Sequence, residues 1–216
     1  MIRILLINPN TSRTTTDMMV AIAQAAVPDG VEVIGATAQR GVAMIVDAAA
    51  LAAASDEVVE IGVRLGRDAA GIIVSAFGDP GVAALRSRIG APVIGIAEAA
   101  MREAADGARR FGIATVTPGL VAAIDAKVAA LGLGTRYSGV RLTVGDAVAL
   151  AADPERLVTE LADAVLACID IDKAEAVIIG GGPLGNAATA LAPRFAVPVI
   201  APIPAAVRLL GRLGLG

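Results

Sequence analysis

A chain of 216 residues that repeats itself at about half its length has few ways to fold. The stretch Ile72-Ile73-Val74-Ser75-Ala76, followed by Ala91-Pro92-Val93-Ile94, returns as Val177-Ile178-Ile179-Gly180-Gly181 followed by Val197-Pro198-Val199-Ile200, an offset of 105 to 106 residues. The first apolar run, Ile4 to Asn10, falls on Gly112 to Thr117 at an offset near 107. Separate segments recurring at nearly one spacing indicate a duplicated unit of roughly 100 residues, which is the size of a small domain. The expectation is two similar halves related by a pseudo-two-fold axis: residues 1–100, whose last helix crosses over, and residues 101–216.

Within each unit, short apolar runs alternate with longer Ala-rich segments. Ile2–Ile7, Val31–Ala36, Ala70–Ala76 and Pro92–Ile96 read as strands in the first half, and Phe111–Val116, Tyr137–Leu142, Ala176–Ile179 and Pro198–Ile200 in the second. The intervening segments read as helices, among them Ser12 to Ala26, Asp47–Gly66, Glu98–Gly107, Gly119 to Ala130 and Asp153 to Ile169. Continuous apolar strands joined by helices indicate parallel sheets covered on both faces. The predicted fold class is α/β: two pseudo-symmetric halves, each a parallel, flavodoxin-like sheet flanked by helices, with the site in the cleft between them.

Composition narrows the chemistry. The net charge is −3, no Lys/Arg run stands out and only 2% of residues are aromatic, so nucleic acid is not an expected partner. No apolar stretch reaches the length of a membrane span or of a secretory leader with its cleavage site, so the expected location is cytoplasmic, with no membrane partner. There is no histidine, and Cys168 is the only cysteine. That excludes Ser-His-Asp and Cys-His catalysis, and no metal site is expected.

Ligands of open parallel sheets bind beyond the carboxyl ends of the strands. Four such ends are loop-rich: Asn8–Ser12, Ser75–Gly78, Thr115–Gly119 and Gly180–Pro183. If the halves face each other, these loops line one cleft. Asn8, Asn10, Thr11 and Ser12 are then candidates to bind a carboxylate or ureide oxygen at a helix start. Ser75, Phe77 and Gly78 are candidates for half of an oxyanion cradle, and Gly181, Gly182 and Pro183 for backbone contacts opposite. Thr115 and Thr117 are the repeat-equivalents of Asn8 and Asn10. Asp79 reads as the cap of a helix opening at Pro80, or as a base. Glu98 reads as a helix-start carboxylate, or as an acid/base if burial raises its pKa toward neutrality. Cys168, beside Leu161, Val165 and Leu166, reads as a core thiol.

These loops also carry a likeness. Ile7-Asn8-Pro9-Asn10-Thr11-Ser12, Ala76-Phe77-Gly78-Asp79-Pro80-Gly81, Ile94-Gly95-Ile96-Ala97-Glu98, Arg110-Phe111-Gly112-Ile113-Ala114-Thr115 and Gly180-Gly181-Gly182-Pro183-Leu184 together resemble the motifs of the aspartate/glutamate/hydantoin racemase superfamily, its hydantoin and allantoin racemases in particular. The resemblance spans about residues 1–210. It implies a cofactor-independent enzyme in which two thiols face opposite sides of an acidic carbon, one taking the proton and the other returning it. It places those thiols where this chain has Ala76 and Gly181. Two further departures fall near Val46, in place of an acidic residue, and at Ala201-Pro202, in place of an Asp-Gly pair.

The resemblance therefore implies a racemase-like isomerase, itself a homo-oligomer, acting on a small carboxylate or hydantoin-like substrate through an enolate. The alternatives are a cysteine-less member doing lyase, decarboxylase or isomerase chemistry, or a non-catalytic carboxylate-binding protein.

Overall fold

The computed structural model describes residues 1–214 and forms two four-stranded parallel sheets. The first contains β1 (Ile2–Asn8), β2 (Val31–Thr37), β3 (Gly71–Val74) and β4 (Val93–Gly95), in the order β2-β1-β3-β4. The second contains β5 (Phe111–Thr115), β6 (Tyr137–Leu142), β7 (Ala176–Ile179) and β8 (Val199–Ile200), in the matching order β6-β5-β7-β8. The helices are α1 (Arg13–Gln24), α2 (Ala48–Leu65), α3 (Val82–Arg86), α4 (Ile96–Ala104), α5 (Val121–Ala130), α6 (Ala147–Ala151), α7 (Pro154–Asp170), α8 (Gly185–Leu191) and α9 (Pro202–Arg212). Among the described residues, no helix is long and apolar enough to cross a membrane.

The strand order explains where a ligand can enter. The chain leaves β1 toward one edge to form β2, then returns past β1 to form β3. The loops after β1 and β3 therefore diverge and leave a crevice between their tips. The same reversal occurs between β5 and β7.

Three apolar clusters build the molecule. One lies outside the first sheet, where Val58 and Ile61 of α2 and Val82 and Leu85 of α3 cover Leu5, Ile7, Ile72 and Val74. One lies outside the second sheet, where Leu161, Val165 and Cys168 of α7 cover Ala114, Val177 and Ile179. The third is shared by both halves. It joins Ile4, Leu6 and Ile73 of the first sheet to Phe111, Ile113 and Ile178 of the second through α1, α4, α5 and α9. Helix α4 follows β4 of the first sheet but packs against β7, β8 and α5; α9 follows β8 of the second but packs against β3, β4 and α1. Each half thus lends its last helix to the other, and α4 straddles the expected division at residue 100.

Two local readings are corrected. Asp79 was expected to cap a helix opening at Pro80. Helix α3 instead starts at Val82, with Gly81 at its N-cap and no side-chain cap. Asp79 has a left-handed backbone (φ 56°) that turns its carboxylate away from that helix. The strand expected to run to Ile96 stops at Gly95, and α4 begins at once, because the Asp79 carboxylate accepts from the N–H groups of Ala97 and Glu98, both at 2.9 Å.

Met101 of α4 is fully buried in the shared cluster. Met101→Ala should destabilise the protein by about 2–5 kcal/mol, the usual cost of emptying a core site. Because the cluster spans both halves, far-UV circular dichroism and fluorescence of Tyr137, the only tyrosine, should report coincident urea midpoints in the parent and in the variant. Separated midpoints would show that the halves unfold independently.

Candidate active site

The four strand tips meet around a cavity of about 400 Å³. Asn10 enters from the β1 tip and Ser75, Ala76 and Phe77 from β3; Thr117 enters from β5 and Gly180 through Pro183 from β7. Ala76 and Gly181, where the resemblance places thiols, both line it, one from each half.

The β1 tip is held by a buried side chain that does not itself reach the cavity. Asn8 is fully buried. Its Nδ2 donates to Asn10 Oδ1 (2.9 Å), Ser12 O (3.1 Å) and Thr16 Oγ1 (2.9 Å), and its Oδ1 accepts from Asn10 N (3.1 Å). Asn10 Oδ1 also accepts from Ser12 N at 2.9 Å. With that oxygen doubly occupied, the orientation of the Asn10 amide is fixed and its NH₂ group is the one left for a ligand. Ser12 spends its hydroxyl capping α1 at Thr15 N, and Thr11 N donates to Val42 O; neither side chain lines the cavity.

The second half repeats this arrangement with hydroxyls. Thr115 is fully buried, donates to Gly180 O at 2.7 Å and lies 3.3 Å from Thr117 Oγ1. Asn8 and Thr115 are thus supports, and Asn10 and Thr117 are the lining members of each pair.

Between these rims, among the described residues, the N–H groups of Ala76, Phe77 and Gly182 donate to no protein acceptor. All three residues line the cavity, which makes their unpaired amides candidate donors to an oxygen of developing negative charge. Ser75 Oγ is turned to the Met19 sulfur at 3.0 Å. Gly182 lacks a side chain where a Cβ would sit 2.8 Å from Met19 Sδ and 3.0 Å from Ser75 Oγ and would force one of them to shift. That absence lets the β7 tip close on the β3 tip across the halves. Gly78, expected in the cradle, faces Leu51 and does not line the cavity.

The two carboxylates considered as acid or base lie outside the lining. Asp79 has no exposed side-chain surface and pairs with Lys127 Nζ of α5 at 3.2 Å. Burial raises its pKa, and Lys127 with the N–H groups of Ala97 and Glu98 opposes the rise. Glu98 is held between Arg86 Nη2 and Arg102 Nε, each at 3.0 Å. Burial acts to raise its pKa, but Arg102 and Arg86 outweigh burial and hold it below the usual value. That is the reverse of the upward shift an acid/base role requires. Cys168 lies in the outer core of the second half, where burial pushes its thiol up to about 12. Among the described residues, no group of three His, Cys, Asp or Glu side chains is placed to hold a metal ion.

The rest of the wall is apolar: Met44 and Ile45 from the loop after β2, Ala147 from α6, and Leu157 and Val158 from α7, with Asn186 of α8 at the rim. None of these was singled out from the sequence. The apolar ones read as ordinary core residues, and Asn186 follows the Gly-rich motif without a turn or cap signature. The lining includes no Asp, Glu, Lys, Arg, Cys or Tyr among the described residues.

A depressed carboxyl pKa contributes stability above the unfolded value that is lost as pH falls through the folded one. Glu98→Gln should therefore be about 1 kcal/mol less stable than the parent at pH 7, since its arginine partners are half exposed. The difference should close on acidification below the ordinary carboxyl value of 4.5, as read from urea midpoints at pH 7 and pH 3.

Known proteins resemble this chain over nearly its whole length. The model of the Asp/Glu/Hydantoin racemase family matches residues 4–210. A hydantoin racemase of Paenarthrobacter aurescens is 29% identical over 96% of this chain and 89% of its own. Among solved structures, allantoin racemase from Klebsiella pneumoniae superposes with a TM-score of 0.92 at 31% identity, covering 99% of this chain and 87% of that one. Unliganded arylmalonate decarboxylase, 20% identical, shares the fold with a TM-score of 0.69 over 100% of this chain and 93% of its own. The chain belongs to the Asp/Glu/hydantoin racemase family.

Proposed function

We propose that this protein binds a small carboxylate or hydantoin-like compound in the strand-tip cavity and stabilises its enolate without a cofactor. One observation carries the reading: both rims and the unspent amides of Ala76, Phe77 and Gly182 converge on a single hollow between the halves. Hydrogen-bond donors fixed in advance stabilise an enolate oxygen more than the neutral carbonyl it forms from, which is what lowers a barrier. The hydantoin racemase and allantoin racemase relatives support this choice of ligand. A homo-oligomeric state and a cytoplasmic location belong to the same reading.

The mode of proton transfer must differ from a two-thiol relay. Racemisation takes a proton from one face of a carbon and returns one to the other, and among the described residues no ionisable side chain lines the cavity to do either. That same observation favours a second reading, decarboxylation of a substituted malonate. Loss of CO₂ leaves its bonding electron pair on the α-carbon as an enolate and requires no base. Water then supplies the proton, so a dicarboxylate yields a monocarboxylate, CO₂ and hydroxide.

Proton NMR in D₂O on 5-substituted hydantoins, allantoin, aspartate and substituted malonates distinguishes the readings. Racemase-like chemistry predicts loss of the α-proton signal without a new product; decarboxylation predicts a monocarboxylate carrying solvent deuterium. The pair Ala76→Cys with Gly181→Cys should then raise α-proton exchange by about 10²-fold or more, the usual contribution of a positioned acid/base group. The extended backbone at Gly181 accepts a side chain, and its Cβ would lie 2.9 Å from Cδ1 and 3.0 Å from Cγ of Leu184, so the Leu184 side chain must give way. A melting temperature raised by a carboxylate with no turnover of any compound would make this a binding protein and overturn the enzymatic reading.

A further inference from the structure

The ion pair between Asp79 and Lys127 lies outside the cavity, yet it is built with unusual care. Asp79 is a non-glycine residue at φ 56° with a fully buried carboxylate. A side chain bent into that region persists only where its surroundings hold it there. Four contacts do so. Its backbone N–H closes the β3-tip turn on Ala76 O at 3.0 Å. Its two oxygens each take one N–H of the first turn of α4, from Ala97 and Glu98. Its Oδ2 also meets Lys127 Nζ, three-quarters buried, on α5. Finally, Gly95 vacates the space the carboxylate fills, since a Cβ at that position would overlap it.

These contacts join particular places. Asp79 follows directly on the turn that carries Ala76 and Phe77 into the cavity. Lys127 sits on the helix that follows Thr115 and Thr117. Helix α4 belongs to the first half by sequence and packs on the second sheet. Asp79 and Lys127 therefore tie the back of the β3-tip turn to the helix that follows the β5 tip. Within the described residues, Asp79 is the one carboxylate within salt-bridge distance of Lys127. The neighbouring Glu98 is occupied by Arg86 and Arg102, and Asp125 of α5 by the Tyr137 hydroxyl.

We propose that Asp79 and Lys127 are positioning residues whose pairing sets the separation of the β3-tip turn from the β5 tip across the cavity. The pair touches no ligand and acts through the turn at residues 76–78 and through α5. The inference rests on the proposed function only for what the β3-tip turn and the β5 tip would bind; the pairing itself can be tested without any ligand.

The test compares the full chain with Lys127→Met, which keeps the aliphatic stem and removes the charge, and with the conservative Lys127→Arg. Hydrogen–deuterium exchange is followed in peptides covering residues 75–79, 96–99 and 115–120, with β2 and α7 as references. Breaking a buried pair strands a charge, so Lys127→Met should raise exchange by about tenfold or more in all three peptides and leave the references unchanged. Lys127→Arg should restore protection. In parallel, calorimetry with 5-benzylhydantoin should show Kd weakened by about tenfold in Lys127→Met and within about twofold of the parent in Lys127→Arg. No faster exchange in residues 75–79 or 96–99, or a uniform rise that includes the references, overturns the proposal. If Lys127→Met does not fold, Lys127→Gln is read by the same criteria. If the parent does not bind the hydantoin, the choice of ligand made above fails, while the exchange result still decides for or against the pair.

Discussion

Each half of this protein lends its last helix to the other half's sheet, and the remaining geometry depends on that exchange. Helices α4 and α9 bury their apolar faces in a cluster that contains strands of both sheets, so neither sheet has a complete inner core without the other. Burial of this kind is non-directional and sets no angle by itself. Direction comes from the strands. Once the halves are clamped, the reversals between β1 and β3 and between β5 and β7 face the same hollow, and a cavity forms without any loop having to reach far.

The hollow is furnished by division of labour between adjacent polar residues. Asn8 and Thr115 are spent entirely within the protein, and each fixes a neighbour two positions on that meets the ligand space. Buried polar groups with every bond satisfied add rigidity, and rigidity is what makes fixed donors effective on a developing charge. The apolar walls from α6, α7 and the loop after β2 lower the local dielectric and strengthen each of those bonds. Among the described residues, these walls present no ionisable side chain to the hollow.

The repeat made the paired parallel sheets and the four tip loops legible in the sequence, because a duplicated apolar pattern gives duplicated sheets, whereas the order of the strands within each sheet was not. Asn10, Phe77, Thr117 and Gly182 could be placed at the cavity for the same reason. Which member of each polar pair faces inward was not legible, since residues two apart on an emerging loop have no fixed period. Asp79 was misread because Asp-Pro-Gly has the composition of a helix start, and its actual partner, the first turn of α4, is set by a backbone torsion with no sequence signature. Leu157, Val158 and Met44 had no chance of detection. An apolar residue lining a cavity and one filling a core are written identically.

The burial of Cys168 has a practical side. Its thiol faces Gly112 inside the outer core, and with its pKa pushed up to about 12 it holds almost no thiolate at neutral pH. The native chain is therefore a nearly silent background for maleimide and iodoacetamide reagents. A single cysteine introduced at any exposed position would carry a fluorophore or spin label without the parent thiol first having to be removed.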